Sequence, residues 1–318
     1  MPFLTQEFVL PQPKKAFLFL TQDLGFGTKE AQRIIDKGRL TQNSQTIKKA
    51  QVIVGKVELL HFVADSNAVE KDVLKNLTLL FSNKDFCVYD KPRNLLTHPK
   101  GLFSHASLND ALKMHFGKNA NPIHRLDSQT SGLVVCGLHK RSEIALKNNV
   151  QKFQKTYTAI LKGALTKQSL QKNGLVERES AFLIDKPIFH QNTKKDLSIR
   201  SFISAQGKPS RTLLRILSVK ENASLVALTP LTGRTHQLRV HLDSIGYPIL
   251  GDSLYGVSEN VARYFLETRN VCESERITLT GAPYLCLNAS ALKFSYKNFI
   301  FTFHSRLDSQ ILQLFATL

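Results

Sequence analysis

The order of helix-like and strand-like tracts in this 318-residue chain predicts an α+β protein in two domains. Three features point there. The two kinds of tract do not alternate regularly, which disfavours a doubly wound parallel sheet. A short amphipathic helix, a turn and a long strand form a small unit at the front, bounded as residues 1–64. A polar, charged stretch around Asp65–Asp72 then reads as a linker, residues 65–76, before a larger domain over residues 77–318. Hydrophobic residues make up 42% of the chain, which suits a sizeable core and excludes wholesale disorder.

In the front unit the pattern runs from about Lys14 to Val63. Ala31, Ile34 and Ile35 recur at i, i+3 and i+4 and mark a short helix, with Gly38 placed to end it. Leu40, a polar turn at Asn43-Ser44 and a strand over 51–60 follow. Lys29, Arg33, Lys37, Arg39, Lys48, Lys49 and Lys56 punctuate the unit.

In the larger domain, Leu77–Phe81 and Phe86–Tyr89 flank Ser82-Asn83-Lys84 as a hairpin. Ser107-Leu108-Asn109-Asp110 has the form of a capping box and opens a helix through Phe116. Leu133–Cys136 reads as a buried strand. Ile144, Ala145, Val150 and Phe153 sit on a helix after it, and the β-branched content of Thr156–Leu161 favours a strand. Later strands fall at Leu213–Val219, Leu225–Thr229 and Phe299–Phe303. After the Thr229-Pro230 break, Gly233 opens a helix whose buried stripe is Leu238, Leu242 and Ile245, and Gly246 ends it.

Lys and Arg number 43 against 25 Asp and Glu, a net charge of +18. Such an excess attracts a polyanion, most commonly nucleic acid, although a generally basic proteome would give the same balance. The four cysteines, Cys87, Cys136, Cys272 and Cys286, are scattered and form no CxxC, so neither a disulfide scaffold nor a cysteine-based zinc site is supported. No apolar run approaches the roughly 20 residues that span a bilayer, and the first fifteen residues lack the apolar centre of a signal peptide. The expected setting is the reducing cytoplasm, with no membrane partner.

Two segments are rich in chemistry. The first, Pro122 to Gly132, sets a carboxylate, Asp127, in a loop of small polar residues that enters an apolar strand. Its His-Arg-Leu-Asp also fits a structural Arg–Asp pair. The second runs from Leu231 to Asp252 and contains Arg234 and Arg239 near a helix start, off the apolar stripe; such arginines suit phosphate or a carboxylate partner. His124, His236 and His241 raise a metal reading. The five-residue spacing of the last two does not put them on one helix face, and no acidic partner is evident, so no metal site is expected.

With both segments in place, the chain resembles the RluA-type pseudouridine synthases. HRLDSQTSGLVV, at 124–135, and LTGRTHQLRVHL with GYPILGD, at 231–252, resemble that family's paired hallmarks. Val88-Tyr89-Asp90-Lys91-Pro92, the Lys155–Gly163 tract and Gly207–Thr212 match three further stretches. Leu285–Phe294 resembles the closing segment, with Asn288 where the family usually has His. The helix–Gly-Arg-Leu–turn–strand order of the front unit resembles the small RNA-binding domain first seen in ribosomal protein S-four.

The resemblance implies a mixed, largely antiparallel central sheet and an isomerase acting on uridine in RNA. Uridine becomes pseudouridine without gain or loss of atoms, so no cofactor is expected. Asp127 would act at the glycosidic bond, by attack on carbon 1′ or by taking the carbon 2′ proton. Arg239 would pair with Asp127 and keep it ionised and oriented. Tyr157 would stack on the base and remove the carbon 5 proton. Arg125 would hold phosphate or wedge into the stack as the nucleotide flips out, Arg234 would contact phosphate, and Lys29, Arg33, Lys37 and Arg39 would bind RNA from the front unit. Ribosomal RNA is the favoured partner, transfer RNA the other, and the expected state is a monomer. Two other classes compete: a non-catalytic RNA-binding protein on the same scaffold, and a different enzyme with an aspartate nucleophile.

Overall fold

The computed structural model describes residues 3–62, 77–99, 107–190, 199–268 and 271–318. The expected linker, 65–76, lies outside them. The chain folds as two compact units, Met1–Ser66 and Asn67–Leu318.

The first unit holds β1 (Phe3–Lys15), helices α1 (Ala16–Leu18) and α2 (Thr28–Asp36), then β2 (Leu40–Gln42), β3 (Gln45–Thr46) and β4 (Val52–Phe62). The strands form one sheet in the order β1-β4-β2-β3. Ala31, Ile34 and Ile35 of α2 pack with Leu40, Ile53, Val57 and Leu59, as the periodicity requires. Asn43 and Ser44 both take positive φ, 49° and 62°, and close the β2–β3 hairpin. Strand β1 escapes the pattern because Pro11 and Pro13 interrupt it. It survives as an edge strand, and a register shift between Leu10 and Lys14 absorbs both prolines.

The second unit is built on an 11-stranded sheet. In chain order its leading strands are β5 (Thr78–Ser82), β6 (Phe86–Lys91), β7 (Asn121–Pro122), β8 (Ser131–Gly137) and β9 (Gln154–Lys162). Next come β10 (Val176–Arg178), β11 (Ala181–Asp185), a separate pair β12 (Ile188–His190) and β13 (Ser201–Ile203), then β14 (Arg211–Val219) and β15 (Ala223–Pro230). Strands β16 (Leu287–Tyr296) and β17 (Phe299–His304) close the chain's sheet. The order is β10-β11-β14-β15-β9-β16-β8-β6-β5, with β17 beside β16 and β7 beside β8. Among these pairs only β16–β8 is parallel, so the sheet is mixed and largely antiparallel.

Helices α3 (Leu108–Phe116), α4 (Lys140–Asn149), α5 (Lys167–Lys172), α6 (Gln237–Asp243), α7 (Glu259–Glu267), α8 (Glu273–Thr280) and α9 (Asp308–Thr317) complete the unit. The Ser107–Asp110 capping box at the start of α3 is present. Both sheet faces are covered at β6 and β8: Phe86, Val88, Leu133 and Val135 enter one apolar cluster, and Cys87, Tyr89, Val134 and Cys136 the other. That is why these strands read as unbroken apolar runs.

Two expectations need correction. In α4 the inward residues are Ser142, Glu143 and Leu146; Ile144 is exposed, and Phe153 lies beyond the helix. Glu143 can face inward because Lys140 and Lys147 both pair with it, at 3.2 and 2.6 Å. Helix α6 starts at Gln237, not Gly233. The Gln237 side chain accepts hydrogen bonds from the Thr232 hydroxyl and the Arg234 N–H, and so ties the preceding residues into a turn. Its six residues from Gln237 to Leu242 are all buried, so no single apolar stripe exists.

Gly132 carries the close approach of β8 to β16. Its φ is +109°, and a Cβ there would lie 2.4 Å from the Ala289 carbonyl oxygen and 2.6 Å from its nitrogen. Gly132→Ala should therefore cost about 2–4 kcal/mol, from backbone strain and overpacking together, read as a lower urea midpoint with an unchanged slope.

Candidate active site

Asp127 lies in the loop between β7 and β8. Three contacts hold this loop. The Thr97 hydroxyl donates to the Leu126 carbonyl at 2.9 Å and accepts from the Leu126 N–H at 3.1 Å. The wholly buried Lys91 ammonium donates to three carbonyls, Pro92 at 2.9 Å, Leu95 at 2.8 Å and Ser128 at 3.1 Å. Burial pulls the Lys91 pKa down to about 7, against the attraction of Asp127. The Gln129 side chain meets the Ser253 hydroxyl at 3.1 Å. A loop anchored at Leu126, Ser128 and Gln129 leaves Asp127 little freedom.

The Asp127 side chain is 25% exposed and opens onto a cleft of about 220 Å³. Arg125, Tyr157, Arg234, His236 and Arg239 line the same cleft. The structure thus brings together five of the nine residues singled out from the sequence. The other four belong to the first unit: Lys29 and Arg33 are exposed on α2, Lys37 is exposed at its end, and Arg39 is half-buried.

The expected pairing of Arg239 with Asp127 is present as an ion pair, but the guanidinium has a second and closer partner. Its fork is engaged with Asp252: Nε donates to Oδ2 at 2.7 Å and Nη2 to Oδ1 at 2.6 Å. What remains for Asp127 is Nη1, 3.8 Å from Oδ2, an ion pair beyond hydrogen-bond reach. Asp252 also accepts the N–H groups of Leu254 and Tyr255, at 2.8 and 3.1 Å. Burial alone would weaken both charges. The pairing outweighs it, raising the Arg239 pKa and lowering that of Asp252. Nor does Arg239 suit a phosphate, since the side chain is only 3% exposed.

His236 is a site residue that sequence reasoning missed beyond its metal reading. It takes a left-handed φ of 56° just before α6, which turns its ring inward. Nε2 lies 3.9 Å from Asp127 Oδ2, and Nδ1 lies 3.0 Å from the Tyr255 hydroxyl. Burial pulls its pKa down to about 4, against Asp127, so the ring is neutral at pH 7. His124 and His241 have other partners: His124 accepts from the Val135 N–H, and His241 bonds Thr212 and the Lys186 carbonyl.

Tyr157, on β9, is buried, and burial followed by the Asp127 charge raises its pKa. It is therefore a neutral phenol, suited to stacking and poorly suited to act as a resting base. Arg125 is exposed on the rim. Arg234 is exposed as well, with Nε donating to the Pro209 carbonyl at 3.3 Å. A carboxylate facing an aromatic ring, beneath exposed cations, can take an anionic, base-bearing polymer and act on one residue of it.

A family model described as RNA pseudouridylate synthase matches residues 85–244. An RNA pseudouridine synthase of Helicobacter pylori is 43% identical over 98% of this chain and 97% of its own. Ribosomal large subunit pseudouridine synthase D of Haemophilus influenzae is 29% identical over 70% of this chain and 65% of its own. Among solved structures, human RNA pseudouridylate synthase domain containing 1 superposes with a TM-score of 0.52 and 25% identity, over 76% of this chain and 85% of that one. The chain belongs to the RNA pseudouridine synthase family. It is an isomerase that converts uridine to pseudouridine in RNA.

Arg239 and Arg234 should respond differently to substitution. Arg239→Lys loses the fork on Asp252, so single-turnover rate at saturating RNA should fall at least about a hundredfold. Arg234→Ala should weaken RNA affinity across sequences and leave that rate within about threefold. The two measured rates check both assignments.

Proposed function

We propose that this synthase modifies large-subunit ribosomal RNA in the cytoplasm, with Asp127 as the group that opens the glycosidic bond. The observation that carries the assignment is the carboxylate of Asp127, the single one lining the cleft among the described residues, anchored on both sides and facing the Arg239 Nη1. Attack at carbon 1′ and removal of the carbon 2′ proton both start from that carboxylate. Tyr157 supplies a ring for the uracil to stack on once the nucleotide has left its helix. The uracil then turns and rejoins the ribose through carbon 5, whose proton leaves in the last step. The neutral phenol of Tyr157 gives it the stacking part in this scheme, and the carbon 5 proton passes to the Asp127 carboxylate, which is free again once carbon 1′ has joined carbon 5, and from there to water. Arg125 and Arg234 meet phosphates at the rim.

The ribosomal target is supported by relatives from Haemophilus influenzae and Nitrosomonas europaea, both named ribosomal large subunit pseudouridine synthase D. The first unit supports it as an RNA-binding domain of the ribosomal protein S-four type, working on a monomer. Its helix α2 presents Lys29 and Arg33 to solvent. Lys56 is less available, since it pairs with Glu7 at 2.8 Å.

Asp127→Asn keeps the volume and removes the charge. It should abolish turnover by at least about a thousandfold, with the circular dichroism spectrum unchanged, because affinity comes mainly from phosphate contacts. Turnover within about tenfold of the parent, once deamidation is excluded, would remove Asp127 from this role. Deleting residues 1–66 should leave a soluble synthase with a shallower salt dependence of RNA binding. A pseudouridine map of total RNA from cells with and without the gene should lose signal in large-subunit ribosomal RNA; loss confined to transfer RNA would reassign the target.

A further inference from the structure

One wall of the cleft has no part in the chemistry above. It is made by Val150, Gln151, Phe153 and Lys155. Lys155 stands two residues before Tyr157 on β9, so the two side chains share a face of the sheet. Its ammonium has no ion pair or hydrogen bond among the described residues. It lies 5.9 Å from the centre of the Phe153 ring. Leu292 of β16 is its cross-strand neighbour.

Among the described residues, the charged and titratable groups around it offer no counter-ion. Arg125 and Asp127 face the cleft from the catalytic loop, and Arg234, His236 and Arg239 from the segment entering α6. Asp127 is the one acidic group of this set, and Arg239 and His236 already face it. His124, next to the loop, is half-buried and neutral, its pKa held well below the usual value by desolvation and then by the Lys155 charge. A lysine held mostly out of water without an anion is unfavourable in the free protein. It becomes favourable when a ligand brings the anion.

We propose that Lys155 is a binding residue for a phosphodiester next to the target uridine, held on the wall of the cleft beside Tyr157. The inference rests on the cleft being the place where the flipped nucleotide enters. Arg125 and Arg234 are exposed, where water screens their charge. Lys155 meets phosphate in a drier setting and therefore discriminates more sharply for position along the backbone. Burial pulls its pKa down to about 8 in the free protein, and a bound phosphate raises it. Binding then takes up a proton whenever the pH lies above about 8. Affinity is complete below that pH and falls as pH rises toward the bound-state value, by up to about tenfold per pH unit.

The test is fluorescence anisotropy of a labelled oligouridylate with the full-length protein, from about pH 7 to 9.5 and over a salt series. The parent should lose affinity above about pH 8. Lys155→Arg should bind as tightly at pH 7 and lose that pH dependence, because a guanidinium stays protonated. Lys155→Met should bind about five- to tenfold more weakly at pH 7, with a salt slope reduced by about 0.7. Parental affinity in Lys155→Met, or an unchanged pH profile in Lys155→Arg, overturns the proposal. Weaker binding with an unchanged salt slope also overturns it and moves Lys155 to the base or ribose. The readout needs neither turnover nor the natural target, so it fails independently of the ribosomal assignment.

Discussion

The site depends on one guanidinium divided between two carboxylates. Asp252 is wholly buried and takes the Nε and Nη2 side of Arg239, so the fork is fixed before any substrate arrives. Breaking such a buried pair from one side costs about 3–5 kcal/mol, because it strands the other charge. Asp252 is in turn positioned by its backbone. Gly251 has φ +77°, and a Cβ there would fall 1.8 Å from the Tyr284 carbonyl oxygen, so the turn that delivers Asp252 admits glycine alone. Nη1 is what remains, aimed at Asp127 across 3.8 Å. The short contacts hold the fold and the long one is left for chemistry. In free enzymes such contacts are often long and tighten with substrate.

The rest of the cleft keeps the charge pattern simple. Burial holds His236 neutral and Tyr157 protonated. The cleft wall therefore presents one negative group, Asp127, among the cations Arg125, Lys155, Arg234 and Arg239. A positive rim draws in a polyanion, while the carboxylate within meets the sugar. Loop contacts by Lys91, Thr97 and Gln129 make that carboxylate a preorganised group rather than a searching one.

Much of this was legible in the sequence where one local rule decides the outcome. The capping box at Ser107, the turn at Asn43-Ser44 and the doubly covered strands β6 and β8 each follow from residues close together in the chain. Asp127, Tyr157 and Arg239 were found through motifs. The Asp127–Arg239 pair was legible too; the fork on Asp252 was not, because it depends on where α6 begins and how the chain returns through Gly251. Asp252 stood in the same motif with no local sign that it would take the fork. Strand β1 was hidden by prolines that only a sheet edge tolerates. Ile144 misled because a helix that packs Glu143 inward between two lysines inverts the usual reading of charge and burial.

A double-mutant cycle between Asp252→Asn and Arg239→Lys, read in single-turnover rates at saturating RNA, tests the bridging guanidinium most directly. If Asp252 acts on Asp127 only through Arg239, each single change should slow the chemical step, and the double variant should be no slower than the worse single. Independent losses that multiply in the double variant would contradict the shared guanidinium as the basis of the site.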